Sequence, residues 1–261
     1  MKMRRLAVTG VALVALAGMG ACGDKKPAPA GATGATGAPA ATTTTAAAAQ
    51  SSAARTELLA GVTKLTGTSA RIHMTSFGGI VGDGSFDGAK KLVDMKLDMG
   101  SLGSVNMRTI GADLYMRYGG AAAKTFANGK WMHIDATKMP AGSALSMAKN
   151  DPRNSAKMLE AATAVTKTGK GRFSGTLDIA KSPSATPQLL KLLDGKDTRM
   201  PFTAEVDADG YLSAMSVDLS AIGAGQSVAT YSDMGAKVTV AKPPAKQTVE
   251  MPKSALQAMG G

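Results

Sequence analysis

The sequence predicts an α+β domain organised around one large antiparallel sheet. Segment after segment alternates apolar and polar residues with a period of two, the mark of strands buried on one face. Glycine-rich turns separate these segments. Stretches with helical period are few and grouped, and they do not alternate with strands as they would in a parallel α/β fold. A chain of 261 residues holds one such domain with a sizeable core and leaves length for other segments.

The elements follow in order. RTELLAGVTKL, over 55–65, places Leu58, Leu59, Val62 and Leu65 at helical spacing and opens the domain as a short amphipathic helix. SARIHMTSF then sets Ile72 and Met74 against Arg71, His73 and Thr75. KLVDMKLDM is the clearest strand, with Val93, Met95, Leu97 and Met99 on one side and Asp94, Lys96 and Asp98 on the other. SVNMRTI adds Val105 and Met107, DLYMRY sets Leu114, Met116 and Tyr118 opposite Tyr115 and Arg117, and KWMHID is a further short strand. The period then changes. Asp151-Pro152 is a helix start, and Met158, Leu159, Ala162 and Val165 form a helical stripe. GRFSGTLDI returns to a strand, and TPQLLKLLDG reads as a second helix ending at Gly195. RMPFTAEVDADGYLSAMSVDLS is a hairpin turning at Asp209-Gly210. Strands near 227–232 and 237–240 close the sheet before Pro243-Pro244, and 251–261 is a loose tail. The expected content is nine or ten strands and two or three helices.

The amino-terminal part has a different character. Lys2, Arg4 and Arg5 precede the apolar run LAVTGVALVALAGMGA over 6–21, the layout of a secretory signal peptide. That run is shorter than the roughly 20 residues of a membrane span. Cys22, the single cysteine, follows at once. Met19-Gly20-Ala21-Cys22 resembles the lipobox of bacterial lipoproteins, in which the thiol is diacylglycerated, the signal is cut before the cysteine and the new amino terminus is acylated. The alternative is a secreted protein with an incidental cysteine at its cleavage point. With Cys22 lipidated, the mature chain has no disulfide. Residues 22–54 are rich in Ala, Gly, Thr and Pro and nearly free of large apolar side chains, so they read as a disordered tether. About thirty residues of coil hold a domain roughly 30 Å from its anchor. The domain proper is expected over 55–250.

The net charge of +11 comes from scattered Lys and Arg with no run longer than two. With one Trp, four Tyr and five Phe there is no stacking platform for single-stranded nucleic acid, and no nucleic-acid partner is expected. The charge suits solubility and mild attraction to anionic head groups or wall polymers.

No catalytic constellation emerges. His73 and His133, the two histidines, both fall in strands without a nucleophile-elbow motif nearby. No cluster of His, Cys and carboxylates has metal-ligand spacing, and no cofactor motif is present. Asp207-Ala208-Asp209-Gly210 has the start of a calcium loop but lacks its bidentate Glu, and a hairpin turn accounts for it. The distinctive composition is methionine. There are seventeen, many at inward positions: Met74, Met95, Met99, Met107, Met116, Met200 and Met215. They suit either an ordinary filled core or a cavity facing flexible apolar chains, because an unbranched thioether adapts to irregular partners.

Several segments together resemble the actinobacterial LppX/LprAFG lipoprotein family and, through it, the lipoprotein carrier LolA. They are the lipobox at Cys22, the low-complexity linker, the opening helix and the strand series through DLYMRY followed by GKWMHID. The hairpin VDADGYLSAMSVDLS and the closing YSDMGAKVTVAKPPA continue the match. The resemblance spans roughly 55–250. It implies a curved half-barrel covered on its concave face by two or three helices, with an apolar cavity between. It further implies a non-enzymatic protein, acting as a monomer on the outer face of the cell membrane, that binds an acylated lipid or lipoglycan and carries or transfers it. Cys22 would carry N-palmitoyl and S-diacylglycerol groups. The cavity lining would comprise Ile72, Met74, Val93, Met95, Leu97, Met99, Val105, Met107, Leu114, Met116 and Leu159. A second class of function stays open: a structural or regulatory surface lipoprotein with a filled core, acting through contacts with an envelope protein.

Overall fold

The computed structural model describes residues 41–139, 158–159, 161–181 and 197–252, with the single positions 185, 191, 193 and 195. All belong to the unit Ala40–Gly261, which the chain's internal contacts separate from Met1–Pro39.

Helix α1 spans Ala41–Thr66, so it begins inside the stretch read as linker and well before the expected position 55. The alanines of ATTTTAAAAQSSAA explain the difference. They cannot build a core, but alanine has the highest intrinsic helix propensity. Burial comes from the second half. Ala54, Leu58, Val62 and Leu65 fall on one stripe and are at most 4% exposed. Each large member contributes about 1.5–3 kcal/mol relative to exposure. Gly61 lets the helix approach the sheet, since a Cβ there would lie 2.8 Å from Cγ2 of Val206.

Twelve strands follow. β1 is Ser69–Ser76, β2 Ile80–Asp87, β3 Leu92–Asp98, β4 Ser104–Ile110, β5 Asp113–Gly119 and β6 Trp131–Asp135. After a break come β7 Ala162–Gly169, β8 Arg172–Asp178, β9 Arg199–Val206, β10 Leu212–Asp218, β11 Gln226–Ser232 and β12 Thr248–Glu250. They form one open, curved sheet in the order β12-β6-β5-β4-β3-β2-β1-β11-β10-β9-β8-β7. Every neighbouring pair is antiparallel except β12 beside β6. A short helix, α2 (Ala122–Thr125), lies in the β5–β6 connection.

Three local readings need correction. Ala162 and Val165 belong to a strand, not to a helical stripe. A bulge between Thr163 and Thr166 inserts one extra residue against β8, with Ala164 at φ 52°. Two residues three apart therefore face the core together, which imitates helical spacing. Met158 and Leu159 are helical, and Leu159 is fully buried in the core. Residues 237–240 pair with no strand; they form part of a strap from Asp233 to Gln247 across the outer face. Gly235 N–H donates to the Ser69 carbonyl at 2.8 Å, and Arg108 Nη1 donates to the Ala241 carbonyl at 3.0 Å. The strap carries the chain from β11, near the sheet centre, to β12 at its edge. Finally, β2 was hidden behind its glycines. Gly82 and Gly84 sit where neighbouring atoms come close, and a Cβ on Gly82 would lie 2.5 Å from Cγ of Met74.

Among the described residues α1 is the one long helix beside the sheet. Most of the expected second helix over 186–195, the start at Asp151-Pro152, the tail beyond 252, the signal segment and Cys22 lie outside the described residues.

Candidate functional site

One face of the sheet is apolar from edge to edge, and the register shows how. Directly opposed residues point the same way. One row therefore runs Tyr231, Ile72, Gly84, Met95, Met107, Met116, Met132 and Val249 across eight neighbouring strands. Four consecutive members on β3, β4, β5 and β6 are methionines. At about 4.8 Å between strands, this ladder is about 14 Å long. The row beside it contains Met74, Gly82, Leu97, Val105 and Tyr118, and the next contains Phe86, Val93, Thr109, Leu114 and Ile134.

All the strand residues expected to line a cavity thus share one face, but they do not share one environment. Ile72 and Val93 pack against a cluster under α1 that includes Leu58, Val62, Leu65, Leu159, Phe173, Leu177 and Phe202. Val105, Leu114 and Met116 belong to a second cluster with Met132, Ile134, Met139 and Met251, flanked by Leu97, Met99, Met107 and Tyr118. The first cluster is filled largely by aliphatic and aromatic side chains; the second is dominated by methionine. Met95, Leu97, Met99, Met107 and Tyr118 are only half-buried. Burial pushes the Tyr118 phenol pKa up.

Met132, Ile134, Val249, Met139 and Met251 were missing from the expected lining, and Tyr118, read as inward, was left out of it. The alternation in Trp131-Met132-His133-Ile134 carried the signal for two of them. The parallel partner β12 carried none, because a three-residue strand has no readable period. A groove of about 830 Å³ lies elsewhere, between α1 and β7, lined by residues such as Gln50, Ala54, Glu57, Val165 and Lys167.

The outer face is polar, with one aromatic corner. His133 on β6 is stacked on Tyr115 of β5 at 4.9 Å. Its Nε2 lies 2.7 Å from Asp113 Oδ1, and its Nδ1 lies 2.7 Å from Glu250 Oε1. Burial opposes its charge, but the two carboxylates outweigh burial and raise its pKa. With both ring nitrogens engaged, the imidazole pins β12 to the sheet edge. Trp131, 4% exposed, has the guanidinium carbons of Arg108 and Arg117 each 4.9 Å from its ring. Arg108 also lies 3.3 Å from Asp94. The other histidine, His73, pairs with Asp83 at 2.7 Å in an exposed position. Asp207 closes its hairpin by accepting from Tyr211 N–H at 2.9 Å, and Gly210 has φ 81°. Among the described residues no group of three or more His, Cys, Asp or Glu is placed to hold a metal ion. No described helix is long and apolar enough to cross a membrane.

The structure is similar to that of LprF from Mycobacterium bovis, with 18% identity and a TM-score of 0.49 over 74% of this chain and 98% of that one. It is also similar to the LolA superfamily protein NE2245 from Nitrosomonas europaea, with 8% identity and a TM-score of 0.25 over 73% of this chain and 95% of that one. No protein-family profile and no curated protein matches the chain.

Proposed function

We propose that this protein is an envelope lipoprotein that holds an acylated lipid or lipoglycan against its methionine-rich face and carries or hands it over without catalysis. The observation that carries this reading is the ladder Met95–Met107–Met116–Met132, in which Met116 and Met132 are buried while Met95 and Met107 stay partly exposed. Thioethers conform to a flexible chain, and burying an acyl chain is favourable by about 0.8 kcal/mol per methylene. The residues around the ladder can exclude water from such a chain without providing any reacting group. In this reading residues 1–21 are removed, Cys22 carries the N-palmitoyl and S-diacylglycerol anchor, and the chain works as a monomer on the outer face of the cell membrane.

Native mass spectrometry of the full chain, after exchange out of detergent, tests the cargo. Retained acyl lipid is expected. A chain that keeps none and takes up no fluorescent fatty acid refutes the carrier and favours a filled core acting through protein contacts. The anchor has its own test. Cys22→Ala is expected to abolish detergent-phase partitioning or leave the precursor uncleaved, and unchanged partitioning refutes lipidation.

A further inference from the structure

One end of the sheet gathers the β8–β9 connection, where Asp197 pairs with Arg199 at 3.0 Å, and four hairpin turns side by side. The turns are 77–79 between β1 and β2, 99–103 between β3 and β4, 119–130 between β5 and β6, and 219–225 between β10 and β11. The register brings them together, because Ser76 pairs with Ile80, Val81 with Asp98, Ser104 with both Asp98 and Gly119, Thr75 with Val228 and Asp218 with Gln226. Two of the turns touch: a Cβ on Gly103 would lie 2.3 Å from the Gly119 carbonyl oxygen.

Their composition is one-sided. The four turns contain two charged residues, Lys124 and Lys130, and no acid. The large apolar side chains most exposed among the described residues, Leu102 at 68% and Phe126 at 43%, are both here. Phe126 stacks on Tyr118 with ring centres 4.3 Å apart, so the exposed tip is continuous with the methionine-rich face. The acids at the feet of the turns, Asp98 and Asp218, are exposed but each is engaged by the backbone. Asp98 accepts from Gly100 N–H and Asp218 from Ser220 N–H, each at 2.9 Å. The opposite end mixes both signs, with Lys90 against Asp87, Lys138 against Asp135 and Arg71 against Asp233.

We propose that the turn-bearing end docks on an anionic bilayer surface, with Leu102 and Phe126 entering the boundary between head groups and acyl chains and Lys124 and Lys130 meeting lipid phosphates. Apolar tips in turns whose only charged residues are two lysines match that surface in polarity and charge. A lipid surface also admits separate protruding tips, whereas a protein partner must offer a matching hollow for each. This contact is independent of Cys22 and of any lipid held on the methionine-rich face.

The test uses the full chain and the same chain carrying Cys22→Ala, so that docking and anchoring are read apart. Leu102→Trp and, as a control at the opposite end, Lys90→Trp are mixed with phosphatidylglycerol-containing vesicles whose acyl chains are brominated. Trp131 in the parent chain sets the background. Leu102→Trp is expected to blue-shift and be quenched, and Lys90→Trp to do neither. In the Cys22→Ala background, Phe126→Asp is expected to lower vesicle partitioning about tenfold, and Lys124→Glu about fivefold in a salt-sensitive way. Leu102→Trp emission that stays unquenched, equal quenching at position 90, or a blue shift that needs only higher protein concentration overturns the proposal; the last would identify a second copy as the occupant. Loss of cargo in mass spectrometry with quenching intact would sink the carrier reading alone.

Discussion

The two halves of the apolar face are built for different tasks. Under α1, the strands β8 to β10 present Phe173, Leu177, Met200, Phe202 and Leu212, all at most 2% exposed, and a helix closes over them. On β3 to β6 the same face carries the methionine ladder, and several of its members keep contact with solvent. Rigid aromatic and branched side chains interdigitate into a single arrangement, whereas thioethers fill irregular space in many arrangements. Stability is therefore concentrated in the first half, and adaptability in the second.

Substitutions separate the halves, beginning with the largest effect. Leu58→Ala, which empties a fully buried position beneath α1, is expected to cost about 2–5 kcal/mol in urea unfolding. Gly82→Ala, on β2, forces Met74 and Leu97 aside and is expected to cost about 1–3 kcal/mol. Met107→Ala, in the middle of the ladder, is expected to cost about 1–2 kcal/mol because its side chain is only partly buried, yet to reduce lipid uptake more than either of the others. Equal costs for Leu58→Ala and Met107→Ala would show that the second half is a filled core like the first, and the distinction would fall.

The smallest effect concerns the edge of the methionine half. His133 charges more readily in the folded chain than in the unfolded one, since Asp113 and Glu250 hold its proton. Its contribution to stability is complete below the ordinary histidine pKa of about 6.5 and is lost as pH rises through its raised folded value. His133→Gln is expected to flatten the pH dependence of unfolding across that window. A pH profile that is unchanged by the substitution would remove the pairing of β12 with the sheet from electrostatic control.

Much of the sheet was legible because its chemistry repeats locally. Alternation in KLVDMKLDM, SVNMRTI and DLYMRY located β3, β4 and β5 and placed their inward residues on one face. The misses have equally local causes. In β2, Gly82 and Gly84 occupy inward positions and erase the alternation, although Gly82 is glycine so that Met74 and Leu97 can lie over it and Gly84 so that the β3 backbone at Asp94 and Met95 can come close. In β7, a one-residue bulge moved Val165 into step with Ala162 and produced a false helical period. In α1, alanine-rich sequence without large apolar residues looked like coil until the stripe from Ala54 to Leu65 had a sheet to pack on.

What the sequence determined by itself was the strand character of most segments, the identity of the inward residues and the abundance of methionine among them. These follow from periodicity and composition, which need no partner. Only the tertiary structure decided that Met95, Met107, Met116 and Met132 stand in one line, that Leu102 and Phe126 share one end, and that Glu250 meets His133. Those juxtapositions depend on strand order and register, and register is set by pairing between segments far apart in the chain, where no local pattern records it.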